Sequence, residues 1–306
     1  MSTQQTATHP PLTRGYLFAL AGTAFWSSTG VLIRYLSTAH ALPSLVLAFW
    51  RDLFAATTLA LGFLILGRRR ALWSTCRRHL SFLVAYGFVL ATFNALWTAS
   101  VALNGAAVGT VLAYSAPAFT ALAGRRLFGE RVGPLKIIAL ILSITGCVAV
   151  SGAYDPAAWA VAPLGIVIGL LSGLGFSAYS LMGKASSRRK LEAWSVTFWG
   201  FAFAAVFLLL FQAPLGQIDD LFWLGTSLHG WSVLLLLAIA PTIGGYGMYT
   251  ASMRYLPAGT ANLISTLEPP LTVLIAYLLL QERMTGVQVV GSLLIVAGVV
   301  LVRSRG

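Results

Sequence analysis

Ten runs of apolar residues, each 17–24 long and separated by short polar segments, dominate this chain. They cover roughly 16–37, 43–66, 80–103, 105–128, 133–151, 162–183, 193–213, 230–253, 257–280 and 286–302. A helix rises about 1.5 Å per residue, so each run can cross about 30 Å of hydrocarbon, the fifth and tenth only just. Inside hydrocarbon every backbone polar group needs an internal partner, which leaves helices or closed barrels. Barrel strands of about ten alternating residues are absent, so the expected fold is an all-α polytopic membrane bundle of ten transmembrane helices. Composition excludes the alternative of a water-soluble globule. Only 9% of the 306 residues are charged and 58% are hydrophobic, whereas soluble domains carry about 25% charged residues.

The net charge of +12 does not indicate nucleic acid as a partner, because the basic residues lie in short loops between apolar runs. Their distribution instead orients the chain. With the N-terminus inside, 17 of the 20 lysines and arginines fall on the cytoplasmic side, leaving Arg34, Arg51 and Arg283 at or near the outer surface. Ten spans return the C-terminus to the cytoplasm, as expected for a multi-pass protein of the inner membrane. Ala39-His40-Ala41 looks like a signal-peptidase site, but the run before it is about 20 residues long and has only Arg14 ahead of it, so a retained first span is the better reading. Cys76, in a basic loop, and Cys147, in an apolar run, have neither metal nor redox spacing, and the four histidines are scattered. No metal site and no cofactor are expected.

Sliding the chain against itself by 152 residues superposes Ala99-Ser100 on Ala251-Ser252, Pro117 on Pro269, Thr120 on Thr272, Glu130-Arg131 on Glu282-Arg283 and Gly146 on Gly298. An offset of 150 places Trp26-Ser27 on Phe176-Ser177 and Arg34 on Lys184. Residues 16–151 and 162–302 are therefore two repeats, flanked by a polar N-terminus (1–15) expected to be disordered and a cytoplasmic tail (303–306). Each repeat has five spans, an odd number, so the second inserts upside down relative to the first. Inverted repeats are the plan of secondary transporters, whose sites lie near mid-membrane between the halves.

Candidate site residues follow from that plan. Asn94, Trp97 and Thr98 share one helix face, and their repeat partners are Tyr246, Tyr249 and Thr250. Trp26, mid-span, is a large amphipathic ring suited to stacking. Gly165, Gly169 and Gly173 form a helix-packing stripe. Arg51-Asp52 reads as a snorkelling arginine with an adjacent acid near the outer surface. Glu130-Arg131 and Glu282-Arg283, at helix ends, read as ion pairs or caps that order tight turns. Pro117, Pro269 and Pro270 each remove a helix hydrogen bond, so both halves bend one helix at the same depth, either as a packing device or as a hinge. Glu268 adjoins two of those prolines, and it is read as the only mid-span acid able to carry a proton.

Gly109-TVLAYSAPAFTALAGRRLFGERVG-Gly133 and Gly259-TANLISTLEPPLTVLIAYLLLQERMTG-Gly286 resemble the EamA-type transporters of the drug/metabolite transporter superfamily. The likeness extends from about residue 16 to 302 and includes Ala24-Phe25-Trp26-Ser27-Ser28, Arg34 and Arg51. It implies alternating access around a cavity lined by spans 1, 3, 4, 6, 8 and 9. Tyr114 and Ala116 stand where Thr266 and Glu268 stand, so the two half-sites differ chemically. The expected wall is Trp26, Asn94, Trp97, Tyr114, Tyr179, Tyr246, Tyr249, Asn262 and Glu268. The expected function is export of a small organic metabolite, an amino acid or similar; the alternatives are a multidrug or organic-cation exporter, or a membrane enzyme acting on a lipid-linked substrate through Asp219-Asp220. The expected partners are that solute and the lipid bilayer, with proton coupling through Glu268 as an option and the oligomeric state left open.

Overall fold

Pairing between the two repeats, rather than within each of them, builds this bundle. The computed structural model describes residues 12–159, 163–280 and 284–303. The first span is α1 (Leu12–Trp26) and α2 (Thr29–Ala39), followed by α3 (Ser44–Ile65), α4 (Arg69–Ala113), α5 (Ala116–Phe128) and α6 (Pro134–Ser151). The second repeat comprises α7 (Pro163–Arg188), α8 (Ala193–Gln212), α9 (Leu228–Leu237), a π-helical segment (Ala238–Gly244), α10 (Gly245–Ser252), α11 (Ala258–Ser265), α12 (Glu268–Leu280) and α13 (Gly286–Arg303). Seven stretches are by themselves at least 18 residues long and apolar enough to span a membrane. The remaining spans are the shorter α13 and two that are broken at mid-depth, α4–α5 and α11–α12.

Helix α4 contains two spans. A Cβ added at Gly109 would lie 3.1 Å from the Val101 Cα, whereas residues eight apart in a straight helix are about 12 Å apart. The chain therefore doubles back around Asn104, close to where the third and fourth spans were expected to part. Two boundaries differ from expectation. Leu12–Gly15 are already helical, and Cys76 sits in α4 rather than in a loop. Leu72 and Cys76, one turn apart, are buried while their basic neighbours are exposed, so an amphipathic first turn extends the helix. Trp199 Nε1 fastens that turn by donating to the Leu72 carbonyl at 3.2 Å.

The repeats are related by a pseudo-two-fold axis, and repeat-related spans pack on one another: α3 on α8, α6 on α13 and α5 on α11. The α6–α13 crossing shows the symmetry residue by residue. A Cβ at Gly146 would lie 2.6 Å from the Gly291 carbonyl oxygen and 3.1 Å from the Ile295 amide nitrogen; at Gly298 it would meet the Ala139 carbonyl at 2.8 Å and Ser143 Oγ at 2.9 Å. Adding 152 to 146, 139 and 143 gives 298, 291 and 295, so each contact is the image of the other. The Gly165, Gly169 and Gly173 stripe on α7 likewise admits Asn104, Leu112 and Ser115 of the first half. Small residues at these crossings let backbones approach in a setting where lipid provides no hydrophobic drive between helices.

The close crossing makes a stability prediction. Gly146→Val meets backbone that cannot swing aside and should cost about 1–3 kcal/mol by overpacking. Gly62→Val faces open space within 4 Å and should be nearly neutral. Melting temperatures of the two variants in detergent check this.

Candidate functional site

Four spans lose their regular helix at one level, and the cavity lies there. The first breaks at Ser27-Ser28, whose hydroxyls donate to the Ala24 and Phe25 carbonyls at 2.6 and 2.9 Å. The fourth breaks between α4 and α5, with Ser115 Oγ donating to Leu112 O at 2.6 Å. The ninth breaks between α11 and α12, where Ser265 and Thr266 donate to Asn262 O and Leu263 O, each at 2.6 Å. The eighth widens into the π segment around Pro241. Pro117 stands second in α5 and Pro269 and Pro270 second and third in α12, so the expected bends are complete helix breaks. The hydroxyls add donors to carbonyls at the breaks, and Phe25, Leu112 and Leu263 O also keep a backbone amide three residues on, so the irregular backbone stays hydrogen-bonded at membrane depth.

The breaks surround a cavity of about 100 Å³ lined by Trp26, Thr29, Arg51, Phe93, Asn94, Trp97, Thr110, Ala113, Tyr114, Phe176, Thr242, Tyr246 and Glu268. One water needs about 10–15 Å³ on the same measure, so the space suits a small organic solute. Five aromatic rings form the apolar wall; Trp26 meets Tyr246 edge-on at 5.0 Å between ring centroids, and Gly245 leaves room for its indole. On the polar wall, Tyr114 Oη donates to Glu268 Oε2 at 2.6 Å, tying the break in the fourth span to the break in the ninth. Thr272 Oγ1, one turn beyond Glu268, donates to Ser27 O at 2.9 Å and ties in the first.

Arg51 and Asp52 are placed differently from expectation. They are 4% and 0% exposed rather than snorkelling at the surface. Arg51 lies seven residues into α3, about 10 Å below its end. Its Nε donates to Asp52 Oδ1 at 3.0 Å, and Asn94 Nδ2 donates to Asp52 Oδ2 at 3.1 Å. Asp52 is therefore a second buried acid, and Glu268 is not alone at mid-span. Asp52 is absorbed by these two partners, whereas Glu268 lines the cavity.

Six of the nine expected wall residues are on the wall: Trp26, Asn94, Trp97, Tyr114, Tyr246 and Glu268. Tyr179, Tyr249 and Asn262 are not. They pack beneath the cavity, toward the face rich in arginine. Tyr179 stacks on Tyr86 at 5.0 Å and shares a 3.1 Å hydrogen bond with Thr250. Asn262 Nδ2 donates to Thr120 Oγ1 at 3.1 Å and Ser180 Oγ at 2.8 Å, and Ser180 bonds Tyr249 Oη at 2.7 Å. Below that layer Lys184 Nζ donates to Met253 O and Leu256 O at 2.8 and 2.7 Å. Glu130 accepts from the amides of Ala258 and Gly259 at 2.7 and 3.3 Å, with Lys136 at 3.7 Å. Glu130 thus caps a helix of the other repeat rather than its own turn. Its partner pair Glu282-Arg283 lies outside the described residues.

Toward the opposite face a second cavity, about 80 Å³, shares Arg51, Asn94 and Trp97 with the first and continues to Ser37, Ser44 and Val101 at span ends. Among the described residues, packed side chains lie below the first cavity toward one face, and the second cavity adjoins it toward the other. Thr29, Arg51, Phe93, Thr110, Ala113, Phe176 and Thr242 were not foreseen on the wall. The signal for Arg51 was its acidic neighbour, which a purely snorkelling arginine does not need.

Comparison with known proteins fits this architecture. The model of the EamA-like transporter family matches residues 13–152 and again 163–304, once per repeat. The chain belongs to the EamA-like transporter family. Among relatives, an uncharacterized transporter of Archaeoglobus fulgidus is 26% identical over 216 residues, 69% of this chain and 74% of its own. The uncharacterized transporter YwfM of Bacillus subtilis is 26% identical over 94% of this chain and 92% of its own. The chloramphenicol-sensitive protein RarD of Pseudomonas aeruginosa is 29% identical over 54% of this chain and 51% of its own. A crystal structure covering 96% of this chain and 99% of its own superposes with a TM-score of 0.76 at 18% identity, a likeness of fold.

Within this EamA-like transporter each member of the buried ion pair offsets the desolvation of the other. Arg51→Met strands Asp52 without its countercharge and should cost about 3–5 kcal/mol. The double variant Arg51→Met/Asp52→Leu should regain most of that loss. Thermal unfolding of both proteins in detergent reads the difference.

Proposed function

We propose that this chain exports a small organic metabolite, an amino acid or a close relative, across the inner membrane by alternating access, with both termini and the arginine-rich face in the cytoplasm. The observation that carries the reading is the cavity itself: it lies where the halves meet, is packed shut toward one face and continues toward the other. The sidedness rests on 17 of 20 lysines and arginines falling on the sealed face. In this reading the halves rock about the breaks at Pro117 and Pro269-Pro270. The hydroxyl layer around Asn262 and the Glu130 and Lys184 clamps come apart when the site turns inward.

Glu268 is the proposed proton carrier. Its Tyr114 bond is the contact an arriving solute or proton would exchange, since the other buried acid is committed to Arg51 and Asn94. A multidrug or organic-cation exporter is the second reading, favoured by one observation: an acid set among aromatic rings, an environment that attracts cations. RarD, a chloramphenicol-sensitive protein by name, is a relative compatible with it. Phenylalanine and quaternary ammonium probes in counterflow separate the two.

The coupling role has a direct test. In proteoliposomes a pH gradient should accelerate uptake by the parent several-fold. Glu268→Gln should keep gradient-free counterflow and lose the acceleration. Equal gradient-driven rates in parent and variant would remove Glu268 from coupling.

A further inference from the structure

The cavity carries donors that make no hydrogen bond among the described residues. Among the described residues, Trp26 Nε1, Thr29 Oγ1 and Arg51 Nη2 are buried without a hydrogen-bond partner, and all three residues line the same cavity. Trp26 and Arg51 are 5% and 4% exposed, so membrane-facing solvent does not satisfy them. A buried donor left unmade is costly, and three at one site is a pattern rather than an oversight.

Indole N–H and guanidinium N–H groups only donate, and the Thr29 hydroxyl donates as well. What converges on that corner is therefore a set of donors suited to an acceptor with several lone pairs. The guanidinium has capacity to spare. Asp52 Oδ1 lies 3.0 Å from Nη2, but the hydrogen bond there is made by Nε. Asn94 and Arg51 hold Asp52 from both sides, so the guanidinium plane is fixed before any solute arrives. A preset planar fork is the geometry that recognises a carboxylate.

We propose that Arg51, Trp26 and Thr29 form an oxyanion subsite that holds the carboxylate of the transported solute, leaving its apolar body among the aromatic rings. This deepens the export reading and rests on it. It excludes as good substrates amines that lack a carboxylate, which the Glu268 corner alone would accept.

The test uses the full chain in detergent, with calorimetric binding and proteoliposome counterflow as readouts. The probes are L-phenylalanine and L-phenylalaninamide, which keep the same ring and amine and differ in the carboxylate. The parent should bind phenylalanine at least tenfold more tightly than the amide. Trp26→Phe and Thr29→Val each remove one donor and keep most of the shape, and they leave the Arg51–Asp52 pair intact. Each should weaken phenylalanine several-fold more than it weakens the amide. Equal affinity of the parent for both probes, or equal weakening of both probes in the two variants, overturns the subsite while transport stands. Neither binding nor counterflow of either probe by the parent overturns the amino-acid reading and the subsite with it.

Discussion

A peptide group buried in hydrocarbon must find a partner, and the centre of this molecule is arranged around that demand. Prolines and serines interrupt helices at one depth, and hydroxyls at each break bond back to carbonyls three residues earlier. The 2.6 Å bond from Tyr114 to Glu268 then joins two of the interruptions across the repeat interface. Broken helices are expensive in lipid but tolerable around a polar cavity. Here the breaks and the cavity occur together.

The pseudo-two-fold symmetry accounts for the scaffold, and departures from it account for the site. The contacts of Gly146 and Gly298 are images of each other, and the Thr120–Ser177 pair recurs as Thr272–Ser27, through the Ser177 hydroxyl in one and the Ser27 carbonyl in the other. At the cavity level the halves part company. Tyr179, Asn262 and Ser180 fill the sealed side, while their counterparts Thr29, Thr110 and Gly30 are smaller. Thr29 and Thr110 line the cavity. Larger groups thus pack one side where smaller ones leave space on the other, and an acid at 268 against an alanine at 116 makes the two half-sites chemically distinct.

Much of the scaffold was legible because hydrophobic run length, proline and glycine act locally and recur at a fixed offset. The spans, the repeats and the level of the helix breaks all followed from that. The site was legible in part. Trp26, Tyr114 and Glu268 declare themselves as bulky or polar groups at mid-span. Tyr179, Tyr249 and Asn262 carry the same local signal, yet they spend their polar atoms on one another below the cavity, a matter of packing between distant spans. Arg51 misled for the complementary reason: proximity to a span end suggested solvent, but Asp52 and Asn94, 42 residues apart, provide it a buried partner network. Glu130 looked like a local cap, and its true partners are 128 and 129 residues away.

The central claim is that the two faces open reciprocally around the broken helices. Pulsed electron–electron double resonance tests it most directly, with spin labels at exposed Leu127 and Arg254 on the sealed face and, in a second protein, at exposed Ser37 and Leu164 on the other, one label of each pair in each half. Across a pH change or solute addition, the account predicts that the first distance distribution lengthens as the second shortens. Two distributions that stay single and unchanged, or that lengthen together, would contradict it.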